Sequence, residues 1–194
     1  MKNMNKTFII AEAGVNHNGS VEIAKKLIDA AVCSGADAVK FQTHIAEDES
    51  SKYDDFRIKS PYIIDKNRKS FWERTAFDLK TFVKLKKLTE KHGMFFLSSP
   101  FSIQAVELLK KVKVSAWKVG SGELTNLPLI NKIAETKKPI ILKRHFGASL
   151  RDWFGAAEHI LVEGNENLIL CERGVVAPHT HRITSRFMLD VQAI

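Results

Sequence analysis

The chain has 194 residues, 44% of them apolar, and a formal charge of +8 from 30 Lys and Arg against 22 Asp and Glu. This length suits one domain with a sizeable core, and no apolar run approaches the ~20 residues of a membrane span. The opening run Phe8-Ile9-Ile10-Ala11 is interrupted by Glu12, too short for the apolar region of a secretory leader, so a cytoplasmic protein is expected.

Short apolar runs alternate with amphipathic stretches along the whole chain. Phe8 to Gly14 reads as a buried strand. Ser20 to Ser34 has apolar residues at helical spacing, with Ser20 as N-cap and Gly35 as stop. Ala38 to Gln42 is the second strand. Residues 43–77 are polar and mixed, a long excursion of the kind that is functional or partly disordered. Helix 78–92 ends at Gly93, and strand 94–100 leads to helix 102–111. Strand 116–121, helix 127–136, strand 139–144, helix 149–163 and strand 168–174 follow in the same alternation. Thr184 to Ile194 reads as a further helix or the approach to one.

Six βα units with near-continuous apolar strands predict an α/β fold with parallel strands. An open doubly wound sheet is the rival. It favours a glycine-rich phosphate turn after strand one, which Gly14-Val15-Asn16-His17-Asn18-Gly19 does not supply. A (β/α)8 TIM-type barrel, incomplete at about six βα units, fits better. The whole of 1–194 is read as one partial barrel domain, with no second domain.

The charge distribution narrows the function. Lys84, Lys86, Lys87 and Lys91 lie on a helix face, whereas Lys40, Lys118 and Lys143 end apolar strands. A nucleic-acid binder would spread basic groups over an open face among stacking aromatics. A lysine at the end of a buried strand calls for an anion. The pattern therefore favours a small phosphorylated ligand over nucleic acid. Glu12, Gln42, Ser98, Ser99, Ser121, Glu123, Arg144, Glu172 and Arg173 also stand at strand ends. In a parallel barrel all of these meet at one mouth, more positive than negative, as a phosphate and a carboxylate require.

Four segments carry a resemblance. Ile10 to Gly19 (IAEAGVNHNG), Gly35 to Thr43 (GADAVKFQT), Phe96 to Phe101 (FLSSPF) and Trp117 to Glu123 (WKVGSGE) resemble the bacterial sialic acid (N-acetylneuraminate) synthases, in that family's order and spacing. The likeness runs over about residues 8–142. It implies a condensation of phosphoenolpyruvate with a sugar aldehyde. By resemblance Lys40, Ser99, Lys118 and Ser121 bind phosphoenolpyruvate, Gln42 and Glu12 lie near the reacting groups, and Glu123 sits beside the sugar. From residue 143 onward the pattern changes. Lys143-Arg144-His145-Phe146-Gly147, Gly164 to Asn167, Leu170-Cys171-Glu172-Arg173-Gly174 and Thr184 to Asp190 are similar to the sister 3-deoxy-heptulosonate and 3-deoxy-octulosonate phosphate synthases. There the resemblance assigns Lys143 and Arg173 to phosphoenolpyruvate. Both families imply a divalent metal, Mn2+ or Mg2+, whose ligands fall mostly outside this chain. They differ in the acceptor, a sugar or a sugar phosphate. A homo-oligomer is the expected state of the full-length protein.

The remaining residues have plainer expectations. His17 is read as a rim residue. His44 and Lys66 to Lys69 are read as solvated loop. Trp153 and Phe154 are read as packing residues and Cys33 as a small core residue. Two cysteines without a near partner, Cys33 and Cys171, give no disulfide framework. Cys171 and the His179-x-His181 pair are weak candidates for metal ligands.

Overall fold

The structure, a computed structural model, describes residues 7–56, 61, 63–173, 175–176 and 187–188. They group into two compact units, Met1–Ser115 and Ala116–Ile194.

In the first unit, strands β1 (Ile10–Gly14), β2 (Ala38–Thr43) and β3 (Phe95–Pro100) pair in parallel in that order. Helix α1 (Val21–Cys33) joins β1 to β2. Ser20 caps it as expected, its side chain accepting from the Ile23 amide at 3.3 Å. The excursion after β2 carries two short helices, α2 (Ala46–Glu49) and α3 (Arg68–Thr75). Helix α4 (Leu79–Lys91) leads into β3, and α5 (Ile103–Val112) follows it. Asp78 and Ser102 cap these two helices through the Thr81 and Ala105 amides. Val39, Phe41, Phe96, Ile28, Phe82, Leu85 and Leu109 form a closed core between the strands and helices.

The second unit repeats the plan. Strands β4 (Trp117–Val119), β5 (Ile140–Lys143) and β6 (Leu168–Cys171) are parallel and adjacent in that order. Helices α6 (Leu127–Ala134) and α7 (Leu150–Val162) connect them. Asn126 and Ser149 are the caps, the latter in a reciprocal pair with Asp152. Trp117, Ile130, Ile133, Ile140, Leu142 and Ile160 fill the core, and Trp117 Nε1 donates to Thr136 Oγ1 at 2.7 Å. Asn165 is buried and its amide donates to the Lys138 carbonyl at 2.9 Å, tying the α7–β6 turn to the end of α6. A short antiparallel pair, β7 (Val175–Val176) with β8 (Phe187–Met188), comes last. This corrects the expectation of helix at those two positions. The rest of the Thr184 to Ile194 segment lies outside the described residues.

The α/β class and the six parallel strands are as the sequence predicts; no helix follows β6 among the described residues. Three packing expectations are not. Cys33 is exposed at the end of α1 rather than in the core, because the buried stripe of that helix runs through Ala24, Ile28 and Ala31. Phe154 is likewise exposed, while its neighbour Trp153 is buried and donates to the Leu142 carbonyl at 3.2 Å.

The third is His17, which is 1% exposed instead of standing at a rim. Its ring stacks on Phe77 at 4.1 Å, and Nδ1 accepts from the Gly19 amide at 3.1 Å. Burial lowers its pKa from 6.5 to about 4. Between those two values the unfolded chain binds a proton that the folded chain does not. Stability present at neutral pH is therefore lost as pH falls from 6.5 toward 4. Denaturant midpoints should show a loss of about 1–2 kcal/mol between roughly pH 7 and 5, and His17→Phe should flatten that slope. An unchanged slope in the variant would remove His17 as its source.

Candidate active site

The strand ladders decide which side chains share a face. In a parallel pair, residues in register point to the same side, and so do residues two apart on one strand. Glu12 is opposite Lys40, and Gln42 is opposite Ser99. Glu12, Lys40, Gln42 and Ser99 therefore line one face of the first unit's strands. Val39, Phe41, Phe96 and Ser98 point the other way, where Ser98 Oγ and Thr43 Oγ1 bond at 2.7 Å. Lys40 is 6% exposed and its ammonium is ion-paired with the carboxylate of Glu12. The ladder shifts register between Glu12 and Gly14. A side chain at Gly14 would begin 3.5 Å from Glu12 Oε1 and 3.9 Å from Gln42 Nε2, so its absence leaves room where those two groups lie.

The second unit has a matching arrangement. Lys118 is opposite Ile141, and Lys143 is opposite Cys171. Lys118, Lys143 and Cys171 thus share a face. Lys118 is 7% exposed and donates to the Val119 carbonyl at 2.9 Å. A 3₁₀ turn, Ser121–Glu123, follows β4 directly. Ser121 Oγ accepts from Arg173 Nη1 at 3.0 Å, and the Arg173 guanidinium lies 5.9 Å from the centre of the Phe146 ring. Glu123 accepts from Asn126 Nδ2 at 2.9 Å, so the residue that caps α6 also orients this carboxylate.

Lys40, Gln42, Ser99 and Glu12 are brought together in the first unit, and Lys118, Lys143, Ser121, Arg173 and Glu123 belong to the second. Arg144 behaves differently from its neighbour Lys143. It is buried in an ion pair with Glu172 at 3.0 Å, and its Nε donates to the Ala148 carbonyl at 3.0 Å. That pair fastens the β5 and β6 ends together.

His44 is a correction. Sequence composition puts it in a solvated loop, yet it is 7% exposed, with its ring between Trp72 and Phe101 at 3.7 and 4.2 Å. Nδ1 lies 2.6 Å from Glu49 Oε2 and Nε2 lies 3.2 Å from Gln42 Oε1. A histidine two residues beyond Gln42 on the same strand edge was the available signal. Its covering ring, Trp72, is distant in sequence and gave none. Lys69, from the same supposed loop, sits in α3 and is bonded to Glu47 at 2.8 Å.

The metal that the resemblance implies finds no group of three His, Cys, Asp or Glu among the described residues. His179 and His181 lie outside those residues. Among the described residues no helix is long and apolar enough to cross a membrane.

The NeuB family pattern matches residues 27–174. The N,N'-diacetyllegionaminic acid synthase of Campylobacter jejuni is 43% identical over 144 residues, 72% of this chain and 42% of that protein. The crystal structure of the N-acetylneuraminic acid (sialic acid) synthetase of Leptospira borgpetersenii superposes with a TM-score of 0.72 at 27% identity, over 94% of this chain and 59% of that one. A truncated 3-deoxy-D-arabino-heptulosonate 7-phosphate synthase from Thermotoga maritima gives 0.68 at 18% identity over 98% of this chain, a likeness of fold alone. The fold class is thus that of the barrel synthases in incomplete form, and the chain spans less than two-thirds of the length of the relatives it matches. With a family pattern covering most of the sequence, the chain belongs to the NeuB family.

Proposed function

We propose that this chain carries a large part of the site of a phosphoenolpyruvate-dependent synthase, one that joins phosphoenolpyruvate to a sugar aldehyde to give a sialic-type acid. The observation that carries this reading is the pair of buried lysines inside the strands, Lys40 of β2 and Lys118 of β4, each on a face with further polar groups. Buried ammonium groups make strong charge-assisted bonds to anionic oxygens, and phosphoenolpyruvate offers a phosphate and a carboxylate. Relatives named as legionaminic and N-acetylneuraminic acid synthases support the product class.

In this reading Lys40, Lys118, Lys143 and Arg173 hold the phosphate and carboxylate, and Ser99 and Ser121 add hydroxyl donors. The methylene carbon (C3) of phosphoenolpyruvate attacks the aldehyde carbon, forming the carbon–carbon bond and leaving C2, the phosphate-bearing enol carbon, open to water. Water adds at the former enol carbon, phosphate leaves, and a 2-keto acid remains. The cationic groups stabilise charge already fixed in position, which lowers the barrier without reorganisation. Glu12 and Glu123 orient water and the sugar hydroxyls and move protons, with Gln42 beside Glu12. A divalent ion would polarise the aldehyde oxygen; none of these roles runs through it.

The test is phosphate release from phosphoenolpyruvate in the presence of a divalent ion, with N-acetylmannosamine or erythrose 4-phosphate as acceptor. Release with the N-acetyl sugar is expected. Release with erythrose 4-phosphate alone would move the chain to the sugar-phosphate class, and absence of both release and phosphoenolpyruvate binding would overturn the reading.

A further inference from the structure

Asn18 and Gly19 form the one Asn-Gly pair in the sequence. Such a pair has a reaction of its own, and asparagine is among the thermolabile residues for that reason. The Gly19 amide nitrogen can attack Cγ of Asn18, and glycine has no side chain to shield that nitrogen. The N–Cγ bond forms, the bond from Cγ to the side-chain NH2 breaks, and the NH2 leaves as ammonia with the proton of the Gly19 amide. A five-membered imide remains. Water then opens it at either carbonyl. One opening gives aspartate. The other gives isoaspartate, whose main chain runs through Cγ and is one carbon longer. The sum is one water consumed and one ammonia released. Asn18 is exposed, so water reaches it.

The fold holds both reacting ends. The Gly19 N–H donates to His17 Nδ1 at 3.1 Å. Arg74 Nη1 donates to the Asn18 side-chain oxygen at 2.8 Å and to the Asn18 backbone carbonyl at 2.9 Å. Those are the two carbonyl groups that the imide would join. In the imide their oxygens point apart, to either side of the glycine nitrogen, and one donor no longer bridges them. Arg74 is itself fixed by two bonds to Asp65. We propose that Asn18–Gly19 is a latent modification site: Arg74 keeps the imide from closing, and release of α3 from the β1 loop lets Asn18 convert to aspartate or isoaspartate. The two products differ in consequence. Aspartate at 18 still offers Arg74 an oxygen in the same place. Isoaspartate adds a backbone carbon beside Gly19, where even a Cβ would overlap the Arg74 carbonyl oxygen, so the turn has no slack for it. Conversion to isoaspartate therefore makes a transient release of α3 permanent.

The test is an incubation of the full chain at mildly alkaline pH. Conversion at residue 18 is followed by peptide mass, and the isoaspartate share by a methyltransferase specific for that linkage. The folded chain should convert at least about 30-fold more slowly than the same chain in urea, because reaction waits on local opening against charge-assisted bonds. Equal rates would overturn the proposal. Arg74→Gln, with its helical circular dichroism intact, should convert about 10-fold faster than the parent or more. A parental rate in that variant would take the guard away from Arg74. If Arg74→Gln does not fold, Asp65→Asn stands in: it leaves Arg74 in place but removes the charge that fixes it, and should speed conversion severalfold, an unchanged rate again counting against the guard. Finally, chains carrying isoaspartate should unfold at a lower temperature than the parent, whereas Asn18→Asp should unfold near it. Equal midpoints for the isoaspartate form and Asn18→Asp would overturn the locking step.

Discussion

Lys118→Met is expected to lower turnover by about 10³-fold or more while leaving the unliganded fold intact or slightly more stable. The two halves of this expectation share one cause. Lys118 is the middle residue of the three-residue strand β4, between the fully buried Trp117 and Val119. Holding a cation there opposes folding, and a methionine of similar length removes that opposition while filling the same space. The substrate, by contrast, loses a fixed counter-charge. Arg173→Met should show the same split more weakly in stability, since Arg173 is only half-buried and rests against Phe146 and Ser121. The measurement is kcat/KM and phosphoenolpyruvate affinity beside a denaturant midpoint. Undiminished turnover in both variants would refute the cationic clamp. Lost turnover with a collapsed midpoint would make Lys118 a structural residue.

Gly19→Ala should destabilise the first unit by about 2–4 kcal/mol, combining left-handed backbone strain with a steric overlap. Gly19 has φ +82°, and a Cβ there would sit well inside contact distance of the Arg74 carbonyl oxygen. Backbone on both sides of that contact cannot yield as a flexible side chain would. The same helix is fastened to the β1 loop by Arg74, whose Nη1 donates to the Asn18 carbonyl at 2.9 Å and to Asn18 Oδ1 at 2.8 Å. The other edge of that guanidinium makes two bonds to Asp65, at 2.8 and 2.6 Å, and holds its carboxyl below the usual carboxylate range. Alanine at 19 should thus push α3 away and weaken the stack of Trp72 on His44. Thermal unfolding checks the first effect, and the His44 ring signals check the second. A midpoint unchanged within about 0.5 kcal/mol would mean the contact relaxes freely.

The sequence was most legible where one period repeats over many residues. The caps Ser20, Asp78, Ser102 and Ser149 and the apolar stripe of α1 are local facts, and each was readable or nearly so from neighbouring residues. The alternation along β2 likewise set Lys40 and Gln42 on one side and Val39 and Phe41 on the other. What was not legible depended on residues far apart in the chain. His17 is buried because Phe77 covers it, and His44 because Trp72 and Phe101 do. Each contact closes a loop of tens of residues, for which polarity along the chain is a poor guide. The excursion after β2 misled for the same reason. Among its described residues Lys69 pairs with Glu47 and Arg74 with Asp65, so a polar composition there built braced short helices instead of a free loop. The split of Lys143 from Arg144 was equally hidden, since only the pairing of β5 with β6 reveals that Glu172 claims one and not the other.

Under the proposed function, the contact between Lys40 and Glu12 gives the resting protein a surrogate for its guest. An incoming anion meets an ammonium that is already satisfied, and must displace a tethered competitor to reach it. Affinity at this position then measures the difference between two negative partners, not the full attraction of one. Selectivity follows from that subtraction: a singly charged visitor gains little by the exchange, whereas a ligand bringing charge to several cations at once still gains at the others.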